Sequence, residues 1–227
     1  MTTTDLPSLY DLVAQTREVI SPPLIYARLN DAINHPRTSI KDIAQIVSED
    51  AGLTARLLRL ANSPLYGRAK IDTISRATTL IGTREVRDLS LALSLVESAS
   101  RLGEGFSLED HWRHSVGCGI IARNIAIYLR EPTIERYFIA GILHDIGLLV
   151  LFNAQPELTR EIFRRSTRQK QPLFLVEDAV LGFDHSSLAG ELLRSWGLPD
   201  NITALVTYHH TPTRAGHFQR DVAGSSR

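Results

Sequence analysis

Apolar residues recur at three- and four-residue spacing through nearly every segment of this chain, and strict apolar–polar alternation over five or more residues is hard to find. An α-helix brings residues three and four apart onto one face, whereas a half-buried strand needs a period of two. The chain is therefore expected to be all-α. Leu9, Leu12, Val13, Val19 and Ile20 mark a first short helix that Ser21-Pro22-Pro23 ends, and a second runs to about Asn34, before His35-Pro36. Ser39 stands where an N-cap belongs, ahead of Ile40, Ile43, Ala44 and Val47 on one face. The next helix carries Leu53, Leu57, Leu58 and Ala61 and stops at Asn62-Ser63-Pro64. Asn62 tolerates the left-handed conformation of a helix end, and Pro64 forbids continuation.

Beyond Tyr66-Gly67, a short helix with Ile74, Ala77, Leu80 and Ile81 precedes a longer one from about Arg84 to Ser100. The longer helix is apolar nearly all round and so is expected to be central. Gly103 and Gly105, in the run 102–105, interrupt every helical period. They divide the chain into an N-terminal lobe at 1–102, a C-terminal lobe at 103–215 and a polar tail at 216–227. The pair of helices from Ser39 to Asn62 has the outline of a helix-turn-helix. Its second helix, however, offers only Arg56 and Arg59 among leucines, too few to read bases and hold phosphates. Packing helices are the expectation.

With 43% apolar residues among 227, there is ample material for a core. Twenty-five basic and 25 acidic side chains cancel, so the overall field favours neither nucleic acid nor an anionic membrane. The longest unbroken apolar run, Ile146 to Phe152, falls far short of the ~18 residues of a membrane span, and the first residues lack the pattern of a secretory signal. The one cysteine, Cys118, cannot form an internal disulfide and reads as a small residue inside a helix. A reducing, cytoplasmic setting is expected.

Seven of the eight histidines lie beyond residue 102, and chemistry, if any, belongs there. His111 and His114 are three apart on a helix starting near Leu108, so they share a face or its edge, and His111 could be a solvated helix-face residue. His144-Asp145 is an ionisable pair inside the apolar segment Gly141 to Gly147, costly to bury unless a metal or a hydrogen bond compensates. His185 and His209-His210 follow. Imidazole and carboxylate ligands suit zinc, iron or manganese, and neighbouring His and Asp on a helix can both reach one ion. The stop and restart at Trp196-Gly197-Leu198-Pro199 is expected to aim the last helix so that His209-His210 return toward the His-Asp pair. Local alternatives exist: His144 could bond Asp145 or a backbone carbonyl, Asp145 could pair with Arg123 or Arg136, and Trp112 and Trp196 could be core.

The order His114, His144-Asp145, His185, His209-His210 resembles the ligand set of the HD phosphohydrolase superfamily, in particular its HD-GYP branch. A closer resemblance is to the HDOD family, HD-related output domains of bacterial signalling proteins. It rests on Asp50 to Leu58 with Ala61-Asn62-Ser63 and Tyr66, on Ile74-Ser75-Arg76-Ala77 with Leu80-Ile81-Gly82, and on Trp112 with His114-Ser115. Gly141 to Gly147 and Trp196 with Leu198-Pro199 before His209-His210 complete it. The likeness spans about residues 6 to 214 and implies a helical N-terminal lobe packed on an HD-like helical lobe. It implies His114, His144, Asp145, His185, His209 and His210 as the metal set, holding iron, manganese or zinc if a metal is bound. A role in signal transduction through a protein partner follows from it, with a nucleotide-type ligand as an option for the pocket. Two departures set this chain apart from a hydrolase. Leu148 stands where the HD-GYP pattern has lysine, and no late aspartate matches, Asp221 lying in the polar tail. No catalytic residue is expected on this reading, and the alternative is a divergent metal-dependent phosphohydrolase of cyclic dinucleotides or nucleotides.

Overall fold

The structure, a computed structural model, describes residues 7–19, 24–67, 70–98 and 107–215. Among them are helices and no strand. The first half holds α1 (Leu9–Val19), α2 (Leu24–Asn34), α3 (Ile40–Ser48), α4 (Ala51–Ala61), α5 (Ile74–Ile81) and α6 (Thr83–Ser98). The second holds α7 (Leu108–Tyr128), α8 (Glu135–Leu143), α9 (Ile146–Ala154), α10 (Pro156–Gln169), α11 (Leu173–Leu181), α12 (His185–Ser195) and α13 (Asp200–Thr207). The expected stop at Ser21–Pro23, the glycine break at 102–105 and the tail at 216–227 lie outside the described residues.

Local chemistry accounts for several boundaries. Ser39 caps α3 in a reciprocal box, its hydroxyl accepting from the Asp42 N–H while Asp42 accepts from the Ser39 N–H at 2.8 Å. Asp50 caps α4 by accepting from the Leu53 N–H at 2.8 Å. Asn62 ends α4 differently from the expectation, at φ −91° and not in the left-handed region. Its carboxamide donates to the carbonyls of Leu58 (2.8 Å) and Ile71 (2.6 Å) and accepts from the Ile71 N–H (2.9 Å). The residue is a staple across the 62–71 loop, chosen for two-sided hydrogen bonding and not for backbone freedom.

α6 is central as expected, buried on every side from Val86 to Ala92. That stretch includes an ion pair, Arg87 to Asp88 at 2.7 Å, which Asn30 completes by accepting from Arg87 at 3.0 Å. α6 packs on α2 and α4 and also on α8, and α1 rests on α9 and α12, so the two halves share a common core. Glu135 at the start of α8 ties them further, accepting from the Tyr66 hydroxyl at 2.7 Å and from Arg123 at 3.1 Å.

The span Glu135–Ala154 passes a length-and-composition test for crossing a membrane, though 67% of its most apolar window is buried inside the protein and it is broken at His144-Asp145. It is the core of the second half. α7 lies across α8 with Gly119 against Gly141, where a Cβ on Gly141 would come within 2.5 Å of the Gly119 Cα. That close crossing leaves the far side of α7 uncovered: Ile121, Ile125 and Tyr128 are 62%, 54% and 86% exposed.

Candidate metal centre

The six residues singled out in the sequence come together, delivered from four places: α7, the α8–α9 junction, the start of α12 and the end of α13. His114 projects from α7 and His185 is the first residue of α12, after the Asp184 N-cap. His209 and His210 follow α13 directly, so the restart at Trp196–Pro199 does return them to the pair. His144 and Asp145 occupy the junction between α8 and α9 and not the interior of one helix. That break lets both side chains face the cluster while Ile142, Leu143 and Ile146 stay in the core. Gly147 brings α9 against the backbone of His185, where any Cβ would overlap the His185 carbonyl.

Asp145 is the hub. Its Oδ2 lies 3.0 Å from His144 Nε2 and 3.5 Å from His114 Nε2, and its Oδ1 lies 3.3 Å from His185 Nε2 and 3.6 Å from His209 Nε2. The carboxylate thus offers one oxygen to each side of the cluster. His210 Nε2 sits 2.9 Å from His185 Nε2, and its ring stacks on Phe174 at 4.4 Å between centroids. Asp145 does not pair with Arg123 or Arg136, which engage Glu135 and Glu131 instead.

The backbone sets the imidazole tautomers. His144 Nδ1 faces the Gly141 carbonyl at 2.8 Å and His209 Nδ1 faces the Val206 carbonyl at 2.8 Å. With Nδ1 held at a carbonyl, Nε2 is the ring atom left facing Asp145, where it can donate to the carboxylate or coordinate a cation. His209 Nε2 is buried and has no hydrogen-bond partner among the described residues, as suits an atom meant to coordinate. Donor atoms of His144, Asp145 and His209 lie within 4.8 Å of one another, and so do those of His185, His209 and His210 and those of His114, Cys118 and His144. This donor set fits a divalent cation.

Burial opposes the charge of Asp145, but hydrogen bonds from His144 and His185 outweigh it and hold the carboxyl well below the usual range. Burial likewise works against a proton on His185, which hydrogen bonds to Asp145 and Glu177 overcome, pushing the imidazole up to about 9. For His209, burial dominates and pushes it down to about 4. The site is a fixed anion ringed by imidazoles with different proton affinities.

Two neighbours were not singled out as site residues in the sequence. Glu177, on α11 and fully buried, accepts from the His185 N–H at 2.9 Å and faces His185 Nδ1 at 2.5 Å. An acidic residue within the apolar run Leu173–Leu181 was the available signal. Cys118, one turn after His114, has its Sγ 3.6 Å from His114 Nε2. The alternative of a solvated His111 does not hold: the residue is buried at 8% exposure, because α7 turns that side inward, and burial lowers its imidazole to about 4. Trp196 is in the core and Trp112 packs against it.

The cluster opens into a cleft of about 360 Å³ whose walls include Leu148, Pro172, Leu173 and Phe174, and none of the described residues lining it is Lys or Arg.

The model of the HDOD domain matches residues 19–212. A candidate phosphohydrolase from Shewanella amazonensis has a similar crystal structure, 29% identical with a TM-score of 0.73 over 90% of this chain and 74% of that one. An HDOD domain protein with unknown function from Geobacter sulfurreducens is 25% identical, with a TM-score of 0.70 over 96% of this chain and 72% of that one. An uncharacterized protein of Treponema pallidum (strain Nichols) is 26% identical over 184 residues, which are 79% of this chain. The chain spans only 35% of that curated relative's length.

Proposed function

The chain belongs to the HDOD domain family, and from that premise we propose that it is a signal-transduction module whose histidine–aspartate pocket holds a divalent cation as a structural or sensory element, without hydrolysing a phosphoester. The observation that carries this reading is the pairing of an ordered ligand cluster with an apolar cleft wall. His114, His144, Asp145, His185, His209 and His210 would hold the cation, arranged on the two sides of the Asp145 carboxylate. Iron, manganese and zinc all suit such donors.

A bound cation supplies charge to an anionic ligand and, in hydrolases, acidity to a water. Hydrolysis also needs cationic groups around the nonbridging oxygens of the phosphoryl group. Here Leu148 and Phe174 stand on the wall where such groups would act. The cleft supports binding of a small, partly apolar anionic ligand of nucleotide type better than turnover.

Output runs through protein contact in this reading. α7 carries the exposed His114 at the cleft and, further along the helix, the exposed Ile121, Ile125 and Tyr128. Exposed apolar side chains grouped on one helix face suit a protein partner. Occupancy of the pocket would set the position of α7 and thereby that face.

The alternative, a divergent metal-dependent phosphohydrolase, is favoured by the tautomer-fixed ligands and the open cleft. Assays of phosphodiesterase and phosphomonoesterase activity on cyclic dinucleotides and nucleotides, with added manganese or iron, separate the two. The regulatory reading expects no turnover beyond background; metal-dependent turnover abolished by Asp145→Ala would replace it with the enzyme.

A further inference from the structure

We propose that Cys118 is a metal ligand, and that His114, Cys118, His144 and Asp145 form a tetrahedral, thiolate-containing site that takes zinc in preference to manganese. The proposal rests on the cation-holding pocket above and deepens it by naming a ligand and the class of ion.

Three of the donor separations are close to those of a zinc shell. With zinc–sulfur bonds of about 2.3 Å and zinc–nitrogen or zinc–oxygen bonds of about 2.0–2.2 Å, tetrahedral angles put S and N about 3.6 Å apart and two N or O donors about 3.4 Å apart. Cys118 Sγ lies 3.6 Å from His114 Nε2. His114 Nε2 lies 3.5 Å from Asp145 Oδ2, and His144 Nε2 lies 3.0 Å from the same oxygen. The donor atoms of His114, Cys118 and His144 are mutually within 4.8 Å.

Three donors within 4.8 Å of one another, with Asp145 Oδ2 beside two of them, thus converge from α7 and the α8–α9 junction. Adjacency on a helix brings Cys118 and His114 together, one turn apart, but it does not bring them to His144 and Asp145. The α7–α8 crossing does that, and the Gly119–Gly141 contact holds it close. The nitrogen of His144 opposite the cluster is held by the Gly141 carbonyl, an outer partner of the kind metal-bound imidazoles use.

The ligand chemistry sets the ion. Thiolate with imidazole selects zinc and other borderline or soft cations, while manganese favours oxygen donors. On coordination the Cys118 thiol loses its proton to solvent, the sulfur lone pair forms the bond to the metal, and no redox change is involved. The other face of Asp145, with His185, His209 and His210, carries no sulfur and is not part of this site.

Cobalt(II) titration of the metal-stripped full chain tests the proposal, because Cys118 is the chain's only cysteine and any thiolate-to-cobalt charge-transfer band must come from it. The expected spectrum has the visible bands of tetrahedral cobalt together with a near-ultraviolet charge-transfer band. Cys118→Ser should keep the visible bands and lose the near-ultraviolet one, with zinc affinity falling at least roughly tenfold and manganese affinity changing less than about twofold. Visible cobalt bands without a charge-transfer band in the unmodified chain overturn the role of Cys118 and leave the pocket standing. Absence of any cobalt binding overturns the pocket, and this site with it. The unmodified chain decides the matter even if Cys118→Ser fails to fold.

Discussion

Glu177 holds His185 twice, one carboxylate oxygen accepting from the His185 backbone N–H at 2.9 Å and facing its Nδ1 at 2.5 Å. The pair fixes both the start of α12 and the direction of the ring, so that His185 Nε2 meets Asp145. Carboxylate–imidazole pairs of this kind typically raise metal affinity 10–100-fold. Glu177→Gln keeps the shape and removes the charge. It should weaken manganese binding roughly 10–100-fold, measured by competition with a chromophoric chelator, and an unchanged affinity would show that Glu177 serves only the fold.

Gly141 and Gly147 are where packing and site share one cause. A Cβ at 141 meets the Gly119 backbone and a Cβ at 147 overlaps the His185 carbonyl, so neither can be accommodated by turning a side chain. Overpacking of this kind costs about 1–3 kcal/mol. Each Gly→Ala variant should melt several degrees lower, at roughly 2–4 °C per kcal/mol for a chain of this size. Gly147→Ala should in addition lose most of the thermal stabilisation that added metal confers, since it displaces a ligand; equal metal-induced shifts in both variants would contradict this.

Asn62 makes three hydrogen bonds across the 62–71 loop. Asn62→Ala would strand the N–H and carbonyl of Ile71, which is 8% exposed, at a cost of about 2–3 kcal/mol. Urea unfolding should show that loss with no change in metal affinity, and a loss under about 0.5 kcal/mol would mean that water replaces the staple.

His111 titrates against folding. Its folded pKa of about 4 lies below the ordinary value near 6.5, so the unfolded chain binds the proton more readily. The stabilisation is complete above about pH 6.5 and is lost as pH falls toward about 4, to a limit of about 3 kcal/mol. In His111→Leu the decline between about pH 7 and about pH 4 should be shallower by about 2–3 kcal/mol. Identical pH profiles for the two proteins would sink this assignment. His185, raised to about 9, acts in the opposite window, its contribution being lost as pH rises through that value.

Helix identity was legible because apolar spacing is a local record of burial: Ile43 with Val47, and Leu53 with Leu57 and Ala61, are the buried faces of α3 and α4. The Ser39 cap was legible for the same reason, a polar side chain reaching its own backbone three residues on. Asn62 was half legible, since its position at a helix end was clear but its partner, nine residues away, was not. The histidine–aspartate cluster was readable as a residue set because the His-Asp dipeptide is a costly thing to place among Ile142, Leu143 and Ile146.

By itself, then, the sequence determined the all-helical class, the helix faces and caps, and the six polar side chains that had to find one another. Only the tertiary structure decided that α7 crosses α8 at two glycines, bringing Cys118 and His114 to His144 and leaving Ile121, Ile125 and Tyr128 outside. It alone placed Glu177 behind His185 and turned His111 inward. The physical reason is the range of the forces. Periodicity and capping act within a turn or two of helix, whereas ligand geometry, burial of an acid and close helix approach depend on which distant elements come to share a core.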